Sequence, residues 1–203
     1  MKVYIESPGR QYIRMFEENG WDVVDNVDEA DLVQFTGGAD VNPALYGEEK
    51  HPHTRSDLLR DEREQRLFTL CRKRGVPMAG ICRGGQFLNV MCGGAMWQHI
   101  DRHAIYGTHP AKDLTTGRMV NVTSTHHQMM HPAPHARVLM VAEESTYTES
   151  MLQDTVARIS VEEDIESVLY PRQKVLCYQP HPEHQPKGDP CQETYFKYLK
   201  EIV

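Results

Sequence analysis

Two short stretches carry residue types suited to attacking a carbonyl. The first is Gly80-Ile81-Cys82-Arg83-Gly84-Gly85, where an apolar strand pattern ends, a G-x-C-x-G turn follows and a helix begins. A nucleophile raised on a tight strand-to-helix turn needs neighbours without side chains, and Gly80 and Gly84 meet that need. The turn sets the Cys82 sulfur at a helix N-terminus, where unpaired N–H groups and the helix dipole favour a thiolate. The same geometry aims backbone N–H groups at a developing oxyanion, with the amide of Arg83 the natural donor. A buried structural cysteine beside a tight connection is the competing reading of this segment taken alone. Cys71, Cys92, Cys177 and Cys191 lack the turn and read as structural.

A thiol needs a base, which can lie far away in sequence. YQPHPEH, residues 178–184, follows an apolar strand directly. Chemistry in α/β sheets gathers at the carboxyl ends of strands, and Cys82 and His181 both hold that kind of position. Pro180 and Pro182 stiffen the backbone around His181. Glu183 lies two residues on and, in an extended segment, points the same way. Its carboxylate can hold one ring nitrogen while the other faces the sulfur. His184 is the nearest competitor as base, but its position gives it no orienting partner, so His181 is preferred.

Eleven histidines are many for this length. His99 and His103 are four apart, as are His127 and His131, and His131 and His135. That spacing can bind zinc from one helical face. Pro132 and Pro134 break any helix there, and no cysteine pair or carboxylate completes an evident set, so no metal ligands are assigned. His51 and His53 read as loop decoration.

The elements that must position these residues follow from pattern. Residues 1–5, 21–24 and 31–35 read as strands, with a helix over 10–19 and Gly20 as its C-cap. The third strand runs into Thr36-Gly37-Gly38. This alternation favours a parallel α/β sheet. Residues 39–56 form a loop, and 57–73 a polar helix in which Asp61, Glu62, Arg63 and Glu64 face mostly solvent. A buried strand over 76–79 leads into the Cys82 turn, and a helix resumes over 86–91. Residues 95–135 show little periodicity. Residues 119–122 and 137–141 read as strands, 155–161 and 166–170 as two more in antiparallel relation, 175–179 as a last buried strand, and 193–202 as a C-terminal helix. No linker is visible, so residues 1–203 read as one domain.

Composition narrows the possibilities. A chain of 203 residues with 39% hydrophobic content can bury a core. The net charge of -7 argues against nucleic-acid binding, and the densest basic run, Arg72-Lys73-Arg74, reads as the solvated end of a helix. No apolar run reaches membrane-spanning length, and the N-terminus lacks a signal peptide's apolar region and cleavage site. Five cysteines in unlike settings are no disulfide framework, so a reducing cytoplasm is expected. Nothing fixes the oligomeric state.

Further motifs carry a family resemblance. GICRGGQ at 80–86, Asn89-Val90 with Gly93-Gly94, GGADVNPALYG at 37–47, and Asp57, Arg60, Asp61 and Glu64 all match patterns of one family. His126-His127-Gln128 and the terminal Gln179, His181, Pro182 and Glu183 complete the set. Together they resemble a class I glutamine amidotransferase domain, and within that superfamily the γ-glutamyl-γ-aminobutyrate hydrolase group, or C26 peptidases. The resemblance implies a flavodoxin-like three-layer α/β sandwich with a central, mostly parallel sheet and a nucleophile elbow. It implies a Cys82–His181–Glu183 triad and an oxyanion hole from the amides of Arg83 and Gly38. Gly37, Gln86, His127 and Gln128 would lie around the substrate pocket. The expected chemistry is cysteine-dependent hydrolysis of a γ-glutamyl amide through a glutamyl thioester, with no metal or organic cofactor required.

There are departures. Pro180 stands where the family commonly has an aromatic residue. The family's DG-x-x-E stretch reads EESTYTESM, with Glu149 the candidate for its glutamate, and the chain is shorter than typical members. Four functions remain open. One is a free-standing hydrolase of a small γ-glutamyl amide. Another is a glutaminase subunit passing ammonia to a separate synthetase or acceptor protein. The others are a catalytically silent binding or regulatory domain, and a cysteine enzyme acting on another carbonyl.

Overall fold

A computed structural model describes residues 1–100, 104–143, 147–152, 155–160 and 164–203; at 105–106, 147–152 and 155–160 only the backbone is described. The elements in order are β1 (Lys2–Glu6), α1 (Arg10–Glu18), β2 (Asp22–Val24), β3 (Leu32–Phe35), α2 (Leu58–Arg74), β4 (Met78–Ile81), α3 (Arg83–Met91), β5 (Ala95–Trp97) and β6 (His99–Ile100). Then come β7 (Ala104–Asp113), β8 (Met119–Thr125), β9 (Met129–His131), β10 (Arg137–Ala142), β11 (Tyr147–Leu152), β12 (Thr155–Ser160), β13 (Ile165–Tyr170), β14 (Val175–Tyr178) and α4 (Pro190–Leu199).

Among the described residues the main sheet has nine strands in the order β2-β1-β3-β4-β14-β13-β10-β7-β8. The first five are mutually parallel and form the core that carries the site. The last four continue it antiparallel. Strands β3, β4 and β14 are buried at every position, the continuous apolar pattern of strands covered on both faces. Leu32, Ala79, Ile81, Leu176 and Tyr178 face one layer, with Tyr12, Met15 and Phe16 of α1 and Tyr195 and Tyr198 of α4. Val33, Phe35, Met78, Val175 and Cys177 face the other, with Phe68 of α2 and Phe87 and Leu88 of α3. This is the expected three-layer sandwich.

Helix ends follow local chemistry. Asp57 caps α2 by accepting from the Arg60 amide at 3.1 Å, and Gly75, at φ +69°, closes it. Arg72, Lys73 and Arg74 occupy its last turn, where positive charge suits the helix dipole. Helix α3 starts at Arg83, three residues earlier than the expected 86, because the helix begins directly at the elbow. Helix α4 starts at Pro190, since the Asp189 side chain accepts from the Cys191 amide at 2.8 Å.

The expectation of a single antiparallel pair over 155–161 and 166–170 needs correction. β12 pairs with β11 in a separate sheet of order β12-β11-β6, while β13 enters the main sheet between β10 and β14. Every residue of β13 is buried, which an interior strand permits and a peripheral hairpin does not. No described helix is long and apolar enough to cross a membrane.

The contact between α3 and the sheet is backbone against backbone. A Cβ on Gly84 would stand 2.4 Å from the Phe35 carbonyl oxygen, and one on Gly80 would stand 2.3 Å from the Gly84 carbonyl. In an open helix Gly→Ala adds stability. Here Gly84→Ala should remove about 1–3 kcal/mol, as overpacking does, measured by denaturant unfolding. Unchanged or increased stability would contradict this packing.

Candidate active site

Cys82 occupies the elbow between β4 and α3 at φ 51°, ψ -117°, a conformation L-residues rarely adopt. Two backbone bonds hold it there: its amide donates to the Tyr178 carbonyl at 2.8 Å, and its carbonyl accepts from the Gln86 amide at 2.9 Å. β14 runs parallel to β4, with Cys177 opposite Gly80 and Tyr178 opposite Ile81. The two strands therefore end side by side, and the chain leaving β14 brings His181 to Cys82. The His181 amide donates to Thr123 Oγ1 at 2.6 Å, which anchors this segment to β8.

His181 Nδ1 lies 2.6 Å from Glu183 Oε1, and the Cys82 side chain is the other neighbour that acts on its ring. With Nδ1 taken by the carboxylate, Nε2 is the nitrogen left for sulfur. The route to this geometry differs from the expected one. Pro182–His184 form a short 3-10 turn, so a turn, not an extended strand, brings Glu183 back onto the ring. Glu183 is buried. Burial disfavours the imidazolium, but the neighbouring Cys82 and Glu183 side chains outweigh it and push His181 up to about 10. His184 stacks on His181 at 4.9 Å and 5°, and its Nε2 lies 3.7 Å from Glu183 Oε1. It is thus less isolated than its sequence position suggests.

Gly37 faces this pair, with Gly38 next to it in the chain. A Cβ on Gly37 would lie 3.1 Å from His181 Cε1 and 3.7 Å from Cys82 Cβ. The Gly37 amide donates to Tyr12 Oη at 2.9 Å. Gly38 sits at φ +146°, and a Cβ there would stand 2.2 Å from the Arg60 guanidinium. Arg60 donates to the carbonyls of Gly37, at 2.8 Å, and Thr36, at 2.7 Å, so one side chain fixes the loop. Arg60 Nε in turn bonds Glu64 at 2.7 Å.

Asp61 and Glu64, expected to face solvent, are buried instead. Both are ion-paired with the buried Arg83 side chain, and Asp61 also accepts from the Asn42 amide at 3.1 Å. Paired charges bury where single ones do not, and the partner, Arg83, is 22 residues away from Asp61. Arg83 thus offers its amide at the first position of α3 and its side chain to α2. The amide belongs to the first turn, whose N–H groups lack intrahelical acceptors.

The remaining candidates form a scaffold. Gln86 Nε2 donates to Gln179 Oε1 at 3.0 Å and to the Gln128 carbonyl at 3.3 Å. Gln128 is buried, with Nε2 on Thr54 Oγ1 at 3.2 Å and the Gln98 carbonyl at 3.0 Å. His127 Nε2 meets Asp40 Oδ1 at 3.1 Å. Asn89 accepts from Tyr170 Oη at 2.6 Å and donates to the Ala95 carbonyl at 2.8 Å, which gives its motif a structural role.

Tyr12, Thr123 and Gln98 escaped sequence reasoning, because each acts through a contact distant in the chain. Cys71, Cys92, Cys177 and Cys191 are buried free thiols, all pushed up by burial, as suits structural cysteines. His51, His53 and His99 stack on one another at 4.6–5.6 Å. His131 stacks on Trp97, and His135 packs on Tyr170. His103 and the Glu149 side chain lie outside the described residues. A buried glutamate of this part of the chain is Glu166.

Because Glu183 helps raise His181, replacing its charge should lower the midpoint. Nitrogen NMR of the imidazole should find His181 still protonated at pH 8 in the parent protein, with a clearly lower midpoint in Glu183→Gln. Titration near the ordinary value of about 6.5 in the parent would contradict the geometry.

The Peptidase C26 family profile matches residues 9–183. A "putative glutamine amidotransferase" of Mycobacterium tuberculosis is 46% identical over 77 residues, covering 36% of this chain and 24% of that protein. A "putative glutamine amidotransferase-like protein YvdE homolog" of Lactococcus lactis is 34% identical over 103 residues, covering 45% of this chain and 55% of that protein. The chain thus matches less than two thirds of the length of either relative. The crystal structure of a "putative GMP synthase subunit" from Thermoplasma acidophilum superposes with a TM-score of 0.66 at 14% identity, over 100% of this chain and 94% of that one, a likeness of fold. The family match spans most of the chain and includes both the elbow and the His181–Glu183 segment: the chain belongs to the Peptidase C26 family.

Proposed function

We propose that this protein hydrolyses the amide bond of glutamine or a γ-glutamyl amine, with Cys82 as nucleophile, His181 as base and Glu183 as its orienting carboxylate. The observation that carries this reading is the His181 ring, bonded to Glu183 and set beside Cys82, with both facing the same point at Gly37. The family and its relatives' names support amide hydrolysis of the glutamine amidotransferase type.

In the reaction, the Cys82 thiolate adds to the γ-carbonyl. The amides of Arg83 and Gly38 receive the oxyanion; Gly37 cannot share this role because its amide is held by Tyr12. The His181 imidazolium passes its proton to the leaving nitrogen as the C–N bond breaks, leaving a glutamyl thioester on Cys82. His181 then takes a proton from water as the water attacks, the C–S bond breaks and glutamate departs. Glu183 holds the ring tautomer and the charge it acquires. His127 lines the substrate side, while Gln86 and Gln128 shape the glutamyl pocket through the bonds that fix its walls. We read residues 1–203 as one amidotransferase-like domain, and its five free thiols suit a reducing compartment such as the cytoplasm.

A glutaminase subunit is the second reading, favoured by the full-length likeness to a protein whose name makes it part of a GMP synthase. Ammonia would then pass to a separate synthetase.

Product release from glutamine, γ-glutamyl-γ-aminobutyrate and other γ-glutamyl amines tests both readings. Cys82→Ala should lose at least about 10⁴-fold in turnover while remaining folded, and Glu183→Gln should lose less. Turnover of one conjugate well above glutamine marks a dedicated hydrolase; activity only with an added synthetase marks the second reading. Full activity in Cys82→Ala would overturn the mechanism.

A further inference from the structure

Behind the His126-His127-Gln128 turn, three side chains from distant parts of the chain converge: His109 of β7, His126 after β8 and Glu166 of β13. His109 Nε2 and His126 Nε2 approach the same oxygen, Glu166 Oε1, at 3.2 and 3.6 Å. All three potential ligand atoms lie within 4.8 Å of one another. Glu166 and His126 are buried, and the His109 side chain is 16% exposed, which leaves an approach from one side.

The opposite edge of the His126 ring shows what this arrangement wants. His126 Nδ1 lies 3.0 Å from the Gln128 carbonyl oxygen. A carbonyl only accepts, so the ring nitrogen facing it carries hydrogen. A neutral imidazole so held turns the lone pair of Nε2 toward the carboxylate, and two acceptors then face each other. A cation shared by the two Nε2 atoms and the carboxylate suits the three positions at once. Two imidazolium ions this close repel in a buried site. One divalent ion supplies the same total charge at a single point and leaves both rings neutral. A backbone carbonyl fixing the outer nitrogen is also how metal-bound histidines are usually oriented.

We propose that His109 Nε2, His126 Nε2 and the Glu166 carboxylate form a binding site for a divalent transition-metal ion of the zinc class. Two nitrogen or oxygen ligands about 2.0–2.1 Å from a tetrahedral zinc stand about 3.3–3.4 Å apart, close to the two separations seen here. The site joins β7 and β13 to the turn that carries His127 and Gln128. Its role is structural: the ion pins the wall of the glutamyl pocket from behind. It is separate from the Cys82 chemistry and does not depend on the proposed reaction. The three ligands are 17 and 40 residues apart in sequence (109 to 126, and 126 to 166), unlike the four-residue histidine pairs.

The test uses the full chain carrying Cys82→Ser, so that the reactive thiol cannot bind metal. Zn²⁺ is titrated by calorimetry on protein first stripped with chelator, and Co²⁺ is added for its visible spectrum. The proposal expects one tight equivalent, a d–d band of low coordination number, and a thermal midpoint that rises with Zn²⁺. His109→Ala and Glu166→Gln should each weaken binding at least about 10–100-fold, the loss typical even of an outer-sphere partner. His184→Ala, in the other histidine–carboxylate group, should leave it unchanged. Absence of stoichiometric binding in the parent would overturn the site, as would binding undiminished in both ligand variants or lost with His184.

Discussion

The close approach of α3 to the sheet is the contact on which the rest of the site depends. No side chain fits at Gly80 or Gly84, where a Cβ would lie 2.3–2.4 Å from backbone atoms. The helix axis therefore lies close enough to β3 and β4 that the connecting residue must reverse the chain in one step. Cys82 takes that step at φ 51°. Such a conformation costs about 1–3 kcal/mol and persists only where its surroundings over-determine it. Here the bonds to Tyr178 and Gln86 do so. The parallel register of β4 and β14 then sets where His181 emerges. Sheet register and helix packing, more than any local preference of the two residues, fix the sulfur against the imidazole.

A second layer of control is electrostatic. Arg60, Asp61, Glu64 and Arg83 form a group of two cations and two carboxylates under the Gly37–Gly38 loop. Burying four charges is costly, and apolar side chains of the same shape could match the stability. They could not hold carbonyls. Arg60 grips two carbonyls of the glycine loop, and Arg83 belongs to the first turn of the elbow helix. The group thus couples the two peptide segments that supply the proposed oxyanion donors.

Much of this is legible in the sequence, for definite reasons. Strands β3, β4 and β14 are continuous apolar runs, and α2 carries its own signals in Asp57 and Gly75. The elbow shows as glycines spaced around a cysteine. The triad candidates Cys82, His181 and Glu183 can be named because each follows a strand that reads clearly. Other features need the fold. A charge on a polar helix looks the same whether solvated or paired, so pattern alone sets Asp61 and Glu64 on the wrong side. The ten-residue strand β7 contains Gly107 and Pro110, which interrupt the pattern, and its pairing with β8 shifts register beside Gly107. The convergence of His109, His126 and Glu166 depends on the pairing of the antiparallel half of the sheet, and the motif that contains His126 does not point to its two partners. Tyr12 is one aromatic of an amphipathic helix, and nothing nearby marks its contact with Gly37.

In the proposed reaction Cys82, alone among five cysteines, is presented to a γ-glutamyl carbonyl by its elbow and by His181. The most direct measurement uses a glutamine analogue with an electrophilic ketone in place of the side-chain amide, followed by peptide mass spectrometry. One equivalent of label is expected, on the peptide containing Cys82, with His181→Asn slowing the reaction and free glutamine protecting against it. Label on Cys71, Cys92, Cys177 or Cys191, or a folded protein that resists the reagent entirely, would contradict the proposed reaction.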